Sequence, residues 1–182
     1  MIHMIVARAD DDTIGHEGSI PWNCPTDLEN FKEITENKIV VMGRKTYESL
    51  PDHKLPDRNK IILTRDLEYK VDREDVSIYH DARNVLHLST VHPEPIYIIG
   101  GREIYELFLP FTEYIHMTTV SCSPGGDTKF DFNLDDFAHI TSDEQTIQNE
   151  NDSHSMTFSH YARITIMHPE REQVIVQAMR QQ

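Results

Sequence analysis

PIYIIGGREIYELFLP, residues 95–110, decides how this chain is read. Ile96 to Ile99 form a short apolar run of the kind found in strands buried on both faces. The run enters Gly100 and Gly101, and a helical stretch follows until Pro110 stops it. Two glycines at such a junction let the backbone take unusual angles and approach a ligand closely. The helix start beyond them offers free N–H groups to a phosphate. A tight turn serving only packing has the same sequence, so the junction needs support from elsewhere in the chain.

Two further junctions supply it. MGRKTYESL, residues 42–50, repeats the order of strand, Gly43 and a helix start carrying Arg44, Lys45 and Thr46. LTRD, residues 63–66, places Arg65 after a third strand. Open α/β sheets bind ligands beyond the carboxyl ends of their strands. Arg44, Lys45, Arg65, Gly100 and Gly101 all follow strand ends. The chain carries a net charge of −14, so an anionic ligand needs local positive charge to overcome the general repulsion. This convergence points to a phosphate-bearing ligand.

Working outward, MIHMIVARA, NKIVVMG, RNKIILT, DVSIYH and EYIHMTTV read as further strands, with helices over Pro25 to about Glu36, RKTYESL and DARNVLHLS. An Asp cap opens the last of these helices. Strands alternating with helices predict an α/β domain. Its central, mostly parallel twisted sheet has about eight strands and about four flanking helices. Two late strands, near His139 to Ile147 and near Met156 to Ile166, predict an antiparallel C-terminal edge. Residues 1–166 read as one domain, and 167–182 as a C-terminal extension with the charge polarity of a short helix.

The 182 residues suffice for one sizeable core. No apolar run approaches the roughly 20 residues of a membrane span, and no leader pattern opens the chain. Cys24 and Cys122 stand far apart, so a cytoplasmic, reduced protein is expected. The acidity argues against nucleic acid as a partner. Eleven histidines are present but scattered, without HxH or HExxH spacing, so no metal site is expected.

PTDLENFKEIT, residues 25–35, contains a misfit. Leu28, Phe31 and Ile34 recur at helical spacing as an apolar stripe, and Asp27 stands at its edge. An Asp in a first helical turn serves well as a capping residue facing water, and the helix alone gives no reason to read more into it.

Taken in order, IVARADDDTIGHEGSIPW, PTDLENFKEIT, VVMGRKTYESLP, LPDRNKIILTR, YIIGGREIY and GDTKF resemble the dihydrofolate reductase family, in its bacterial and phage-like form with an active-site Asp. The likeness covers almost all of residues 1–164. It implies a single α/β domain that reduces 7,8-dihydrofolate to tetrahydrofolate with NADPH, in support of one-carbon metabolism and thymidylate synthesis. Hydride goes to C6 and a proton to N5, with water as the immediate proton donor.

The resemblance makes Asp27 the carboxylate that accepts hydrogen bonds from the 2-amino group and N3 side of the pterin. Thr118 would orient it and Trp22 would help through ordered water, with Tyr105 in the same catalytic group. Ile5, Val6, Ala7, Leu28, Phe31, Leu50, Leu55 and Ile99 would line the substrate region, and Arg58 would pair with the α-carboxylate of the folate glutamate through its planar fork. Arg44 and Arg65 would surround the adenosine 2′-phosphate, beside Thr64. Lys45, Thr46, Gly100 and Gly101 would cradle the pyrophosphate, with a cis Gly-Gly peptide. Gly43, Leu63, Arg102 and Ile104 complete the cofactor side, and Ala7, Ile14 and Ile20 would meet the nicotinamide.

The loop from Ala9 to Cys24 becomes a lid in this scheme. Gly15 and Glu17 would meet Asp127 when it is closed, and the loop would exchange to Ser153 when open. The family also implies a monomer. The extension after about Ile166 lies beyond the family's usual end, and contact with a protein partner is a separate, added role for it.

Some residues depart from the family pattern. Asp57 stands where glycine is usual, Arg102 and Glu103 follow Gly101, and Asn30 replaces a bulkier residue. Two other readings compete. One is a reductase of the same fold acting on a ribosylamino-pyrimidine, which should lack the set of Asp27, Phe31 and Arg58. The other is a non-catalytic binding protein, against which Asp27, Trp22 and Thr118 argue.

Overall fold

The computed structural model describes residues 1–51, 55–141 and 145–164. The C-terminal extension expected over 167–182 lies outside them. In chain order the elements are β1 (Ile2–Ala9), β2 (Thr13–Gly15), α1 (Pro25–Thr35), β3 (Ile39–Gly43), α2 (Arg44–Ser49), β4 (Asn59–Leu63), β5 (Val76–Tyr79), α3 (Ala82–Val91), β6 (Ile96–Ile98), α4 (Arg102–Phe108), a 3₁₀ turn (Leu109–Phe111), β7 (Tyr114–Val120), β8 (Thr128–Lys129), β9 (Phe137–His139), β10 (Thr146–Ile147) and β11 (Met156–Arg163).

The main sheet runs β10-β11-β7-β1-β6-β3-β4-β5, with β9 also paired to β11. Six adjacent strands from β7 to β5 are parallel. The expected C-terminal edge is antiparallel. Its first strand is broken, however, into β9 and β10, which pair with opposite ends of β11. A second sheet, β2 with β8, was not expected.

Parallel strands covered on both faces carry apolar residues on both, and each face has its own cluster here. Met4, Val6, Val41, Ile98, Ile115 and Met117 pack with Val85 and Leu86 of α3 and Ile104 and Phe108 of α4. On the opposite face Val40, Met42, Ile62 and Tyr97 pack with Tyr47 of α2 and Ile34 of α1. Asp81 caps α3 by accepting from the Arg83 N–H at 2.8 Å, as its sequence predicts. Each wholly buried apolar side chain contributes about 1.5–3 kcal/mol. Because the six parallel strands share one direction, their carboxyl ends line one edge of the molecule.

Candidate active site

That edge gathers the glycine junctions. β6 lies beside β3, and the Gly43 N–H donates to the Gly100 carbonyl at 2.8 Å. A Cβ on Gly43 would lie 3.1 Å from Ile104, and one on Gly101 would lie 3.1 Å from Thr46 Oγ1. Bare backbone at both turns therefore fills space that a side chain would take. Gly100 adopts φ +112° against the Tyr105 ring, and the Gly100–Gly101 peptide is cis. Arg44, Arg65 and Arg102 stand at this rim, each with a carboxylate partner. Arg65 meets Glu103 at 3.1 Å, Arg44 meets Glu48 at 3.7 Å and Arg102 meets Glu106 at 2.7 Å.

Asp27 inverts the expected helix face. It is 8% exposed, whereas Leu28 is 56% exposed and Phe31 and Ile34 are only half-buried. The apolar stripe is therefore partly exposed, and the carboxylate is buried. Burial raises the Asp27 pKa above the ordinary carboxylate value, a hydrogen bond from Thr118 of β7 opposes the rise, and the charge of Asp152 adds to it.

Asp152 also explains why Asp27 is free of capping duty. The Asp152 carboxylate accepts from the Thr26 N–H at 3.0 Å and from the Thr26 hydroxyl at 2.7 Å, so a distant loop caps α1. Nothing in the sequence near α1 signals this residue.

Arg58 is 5% exposed. Its Nε and Nη2 donate to Thr35 Oγ1 at 3.2 Å, Nη2 also to the Lys32 carbonyl at 3.3 Å, and Nη1 to the Pro56 carbonyl at 2.7 Å. The resemblance implies that this planar fork pairs with a carboxylate. Most of the fork is committed to the end of α1, which leaves about one N–H and the charge for a ligand.

The loop from Ala9 to Cys24, expected to act as a lid, is fastened at two places. β2 pairs with β8, and the Glu17 N–H donates to Asp127 Oδ2 at 2.8 Å. Asn23 meanwhile donates its N–H to Ser153 Oγ at 3.1 Å. The Asp127 and Ser153 contacts, expected to alternate, coexist. Asp11 accepts from the Gly125 N–H at 3.1 Å and from Lys129 Nζ at 3.3 Å, so the acidic run after β1 ties the lid to the loop before β8. A Cβ on Gly126 would lie 2.4 Å from the Gly15 carbonyl oxygen, which makes that crossing specific to glycine.

Other expected residues fall into distinct places. Ile5 and Ala7 alternate away from Val6, which belongs to the core under α3 and α4 and so does not share their face. Leu50, Leu55 and Ile99 sit together with Ile34 over the other face. Trp22 anchors the lid beside Ala9, Cys24, Val120 and Met156. The Tyr105 hydroxyl donates to the Ile5 carbonyl at 2.9 Å, and burial pushes its pKa up, so it stays protonated and braces β1. Ile14 is half-buried and Ile20 is 51% exposed on the lid.

Sequence reading also missed a histidine row. His3 Nδ1 lies 3.1 Å from His116 Nε2, and His116 Nδ1 lies 3.0 Å from His160 Nδ1, across β1, β7 and β11. Burial, with nearby positive groups, lowers His3 and His116 to about 4. Their separations of 113 and 44 residues left no local pattern. Among the described residues no group of three or more His, Cys, Asp or Glu could hold a metal ion.

Comparison with known proteins agrees with this architecture. The family model for dihydrofolate reductase matches residues 1–163. The dihydrofolate reductase of Lactococcus lactis is 35% identical over 90% of this chain and 98% of its own length. That of Staphylococcus haemolyticus is 35% identical over 90% of this chain and 96% of its own length. The structure of the Enterococcus faecalis dihydrofolate reductase complexed with NADP(H) and RAB-propyl superposes with a TM-score of 0.83 at 27% identity, covering 90% of this chain and 96% of that one. With the buried Asp27, the glycine junctions and the sheet order all in place, the chain belongs to the dihydrofolate reductase family.

Proposed function

We propose that this protein reduces 7,8-dihydrofolate to 5,6,7,8-tetrahydrofolate with NADPH, feeding one-carbon metabolism and thymidylate synthesis. The observation that carries the reading is the buried Asp27 carboxylate beside an exposed Leu28, an acid held inside next to an apolar side chain left open. Two acceptor oxygens match the 2-amino and N3 donors of a pterin. Thr118 fixes their direction. The Asp27 charge favours a proton at N5, while Leu28, Phe31, Leu50 and Ile99 enclose the ring system and exclude water.

NADPH fits the junction edge, because the backbone cradle at Gly43 and Gly101 and the Thr46 hydroxyl suit a pyrophosphate, with Lys45 at its side. When bound, the nicotinamide supplies the hydride. Arg44, Thr64 and Arg65 would take the 2′-phosphate, Leu63, Arg102 and Ile104 would flank the adenosine, and Ala7, Ile14 and Ile20 would hold the nicotinamide in place. In the same proposal the enzyme works as a monomer in the cytoplasm. No helix among the described residues is long and apolar enough to cross a membrane.

The test is NADPH consumption with dihydrofolate and, separately, with a ribosylamino-pyrimidine. Turnover of dihydrofolate is the expected result. Turnover of the pyrimidine alone, or of neither by protein that binds NADPH, would sink the proposal.

A further inference from the structure

Lys60 is the second residue of β4 and its side chain is wholly buried, a rare setting for an ammonium. Its three N–H groups are all used. Nζ donates to the Leu55 carbonyl at 2.7 Å, to the Arg58 carbonyl at 2.8 Å and to Asp75 Oδ2 at 2.6 Å. Asp75 is itself held from outside by Arg73, through Nε at 2.9 Å and Nη2 at 2.8 Å. The ammonium therefore shares one carboxylate with Arg73, and two of its three hydrogen bonds end on one short loop.

That loop needs holding. Leu55 and Asp57 lie in the left-handed region at φ +54° and +59°, a conformation that a bulky side chain such as Leu55 adopts at a cost. Asp57 cannot relieve the turn as glycine would. The Asp57 carbonyl is fixed by the Asn37 N–H at 2.7 Å, and the carbonyls on either side of it, at Leu55 and Arg58, are fixed by Lys60. Arg58 leaves the loop with its guanidinium seated over Phe31, 5.9 Å from the ring centre, and committed to Thr35 and the Lys32 carbonyl. With about one N–H left for a ligand, its placement matters more than it would for an open fork.

We infer that Lys60 is a positioning residue for substrate selection: its ammonium clamps the Leu55 and Arg58 carbonyls and so fixes Arg58 for a carboxylate on the tail of the substrate. The inference rests on the proposed function, in which Arg58 meets that carboxylate. A lysine serving stability alone would affect all substrates alike. One that positions Arg58 affects only those carrying the anionic tail.

The experiment compares the full chain with Lys60→Met and Lys60→Gln. Each is assayed with dihydrofolate and with 6-methyl-7,8-dihydropterin, which has the same ring and no carboxylate. Quenching of Trp22, the sole tryptophan, reports binding independently of turnover. Ile61→Val, a mild loss of core packing on the same strand, controls for general destabilisation. The expected result for Lys60→Met is a rise in the KM and Kd of dihydrofolate on the order of tenfold, as for a misplaced charge-assisted hydrogen bond. The tail-less substrate and both kcat values should move less than about twofold, and Lys60→Gln should recover part of the loss. Equal effects on the two substrates, or none, would overturn the inference. Should Lys60→Met fail to fold, Lys60→Gln and Arg73→Gln, which loosens Asp75, carry the same comparison. Binding of dihydrofolate without turnover in the unaltered protein would refute the reductase reading and still judge Lys60; absence of both would refute the two together.

Discussion

Arg58 and Arg65 are both proposed to meet an anion, and they are built in opposite ways. Arg58 is 5% exposed and seated by Thr35, two carbonyls and a loop clamped from below. The Arg65 side chain is 92% exposed and faces Glu103, itself 81% exposed. A buried, braced cation loses little freedom on binding, so more of the contact energy appears as affinity. An exposed pair is worth about 0–1 kcal/mol and exchanges its partner readily. The proposed substrate-tail contact is thus built before the ligand arrives, whereas the proposed 2′-phosphate contact is assembled from surface side chains in competition with their own carboxylates.

The largest test of the prebuilt end is Asp27→Asn. Losing the carboxylate should lower kcat/KM for dihydrofolate about a hundredfold or more near neutral pH. Activity should recover toward acid, where substrate arrives already protonated. Stability should move the other way. Burial raises the Asp27 pKa in the folded state. Between the unfolded and folded values the native state therefore binds more protons, and stability falls as pH rises through that window. Above the raised pKa the penalty is complete, and the neutral amide escapes it. Thermal melts should therefore show Asp27→Asn more stable than the parent near neutral pH and no more stable in acid. An unchanged melting temperature with lost activity would mean that the carboxylate is not held charged against burial.

Arg58→Leu comes next. Dihydrofolate KM should rise by roughly thirtyfold to a hundredfold, with NADPH KM unmoved. Thr35 and the Lys32 and Pro56 carbonyls lose their donors, so stability should also fall, by about 1–3 kcal/mol. A shift in NADPH affinity of the same size would break the division between the two ends.

What the sequence disclosed follows the same division. β3, β4 and β6 were legible because strands buried on both faces read as apolar runs, and the glycines at the ends of β3 and β6 marked the edge proposed to bind ligand. Asp27 was visible as a misfit on its helix, but periodicity says which residues share a face and not what covers it. The inversion of Asp27 and Leu28 depended on Thr118 and Asp152, far away in the chain. β2 and β8 are three and two residues long, too short to alternate, and their pairing depends on the close crossing at Gly126. Lys60, in RNKIILT, passed as a charged strand end. Only the fold shows that its ammonium lies beneath the loop bearing Arg58.

The exposed end should respond to salt where the buried end does not. At 0.15 M ionic strength charges more than about 8 Å apart are already screened, and exposed contacts weaken further as salt rises. NADPH KM should therefore climb with added chloride several times more steeply than dihydrofolate KM. Arg65→Gln should raise NADPH KM about tenfold and flatten that climb, leaving NADH almost unaffected because it lacks the 2′-phosphate. Parallel salt slopes for the two substrates would mean that Arg58 is reached through water after all.

Glu103→Gln is the smallest effect and the sharpest test of how the cofactor end works. Glu103 stands 3.1 Å from the Arg65 guanidinium, on the first turn of α4. A 2′-phosphate must displace it and then tolerate its charge nearby. Arg102 does not offset that charge, because it is turned to Glu106 at 2.7 Å. Replacing the carboxylate with an amide removes the competitor and keeps the side chain's shape. The expected outcome is an NADPH KM lower by about twofold to threefold, the scale of an exposed ion pair, with NADH unchanged and melting temperature within a degree or so of the parent. The gain should vanish at high salt, since screening already mutes Glu103 there. A gain that appears equally with NADH would place Glu103 against the shared part of the cofactor and not against its phosphate, and would remove the reason for reading the Arg65–Glu103 pair as the element that sets cofactor preference.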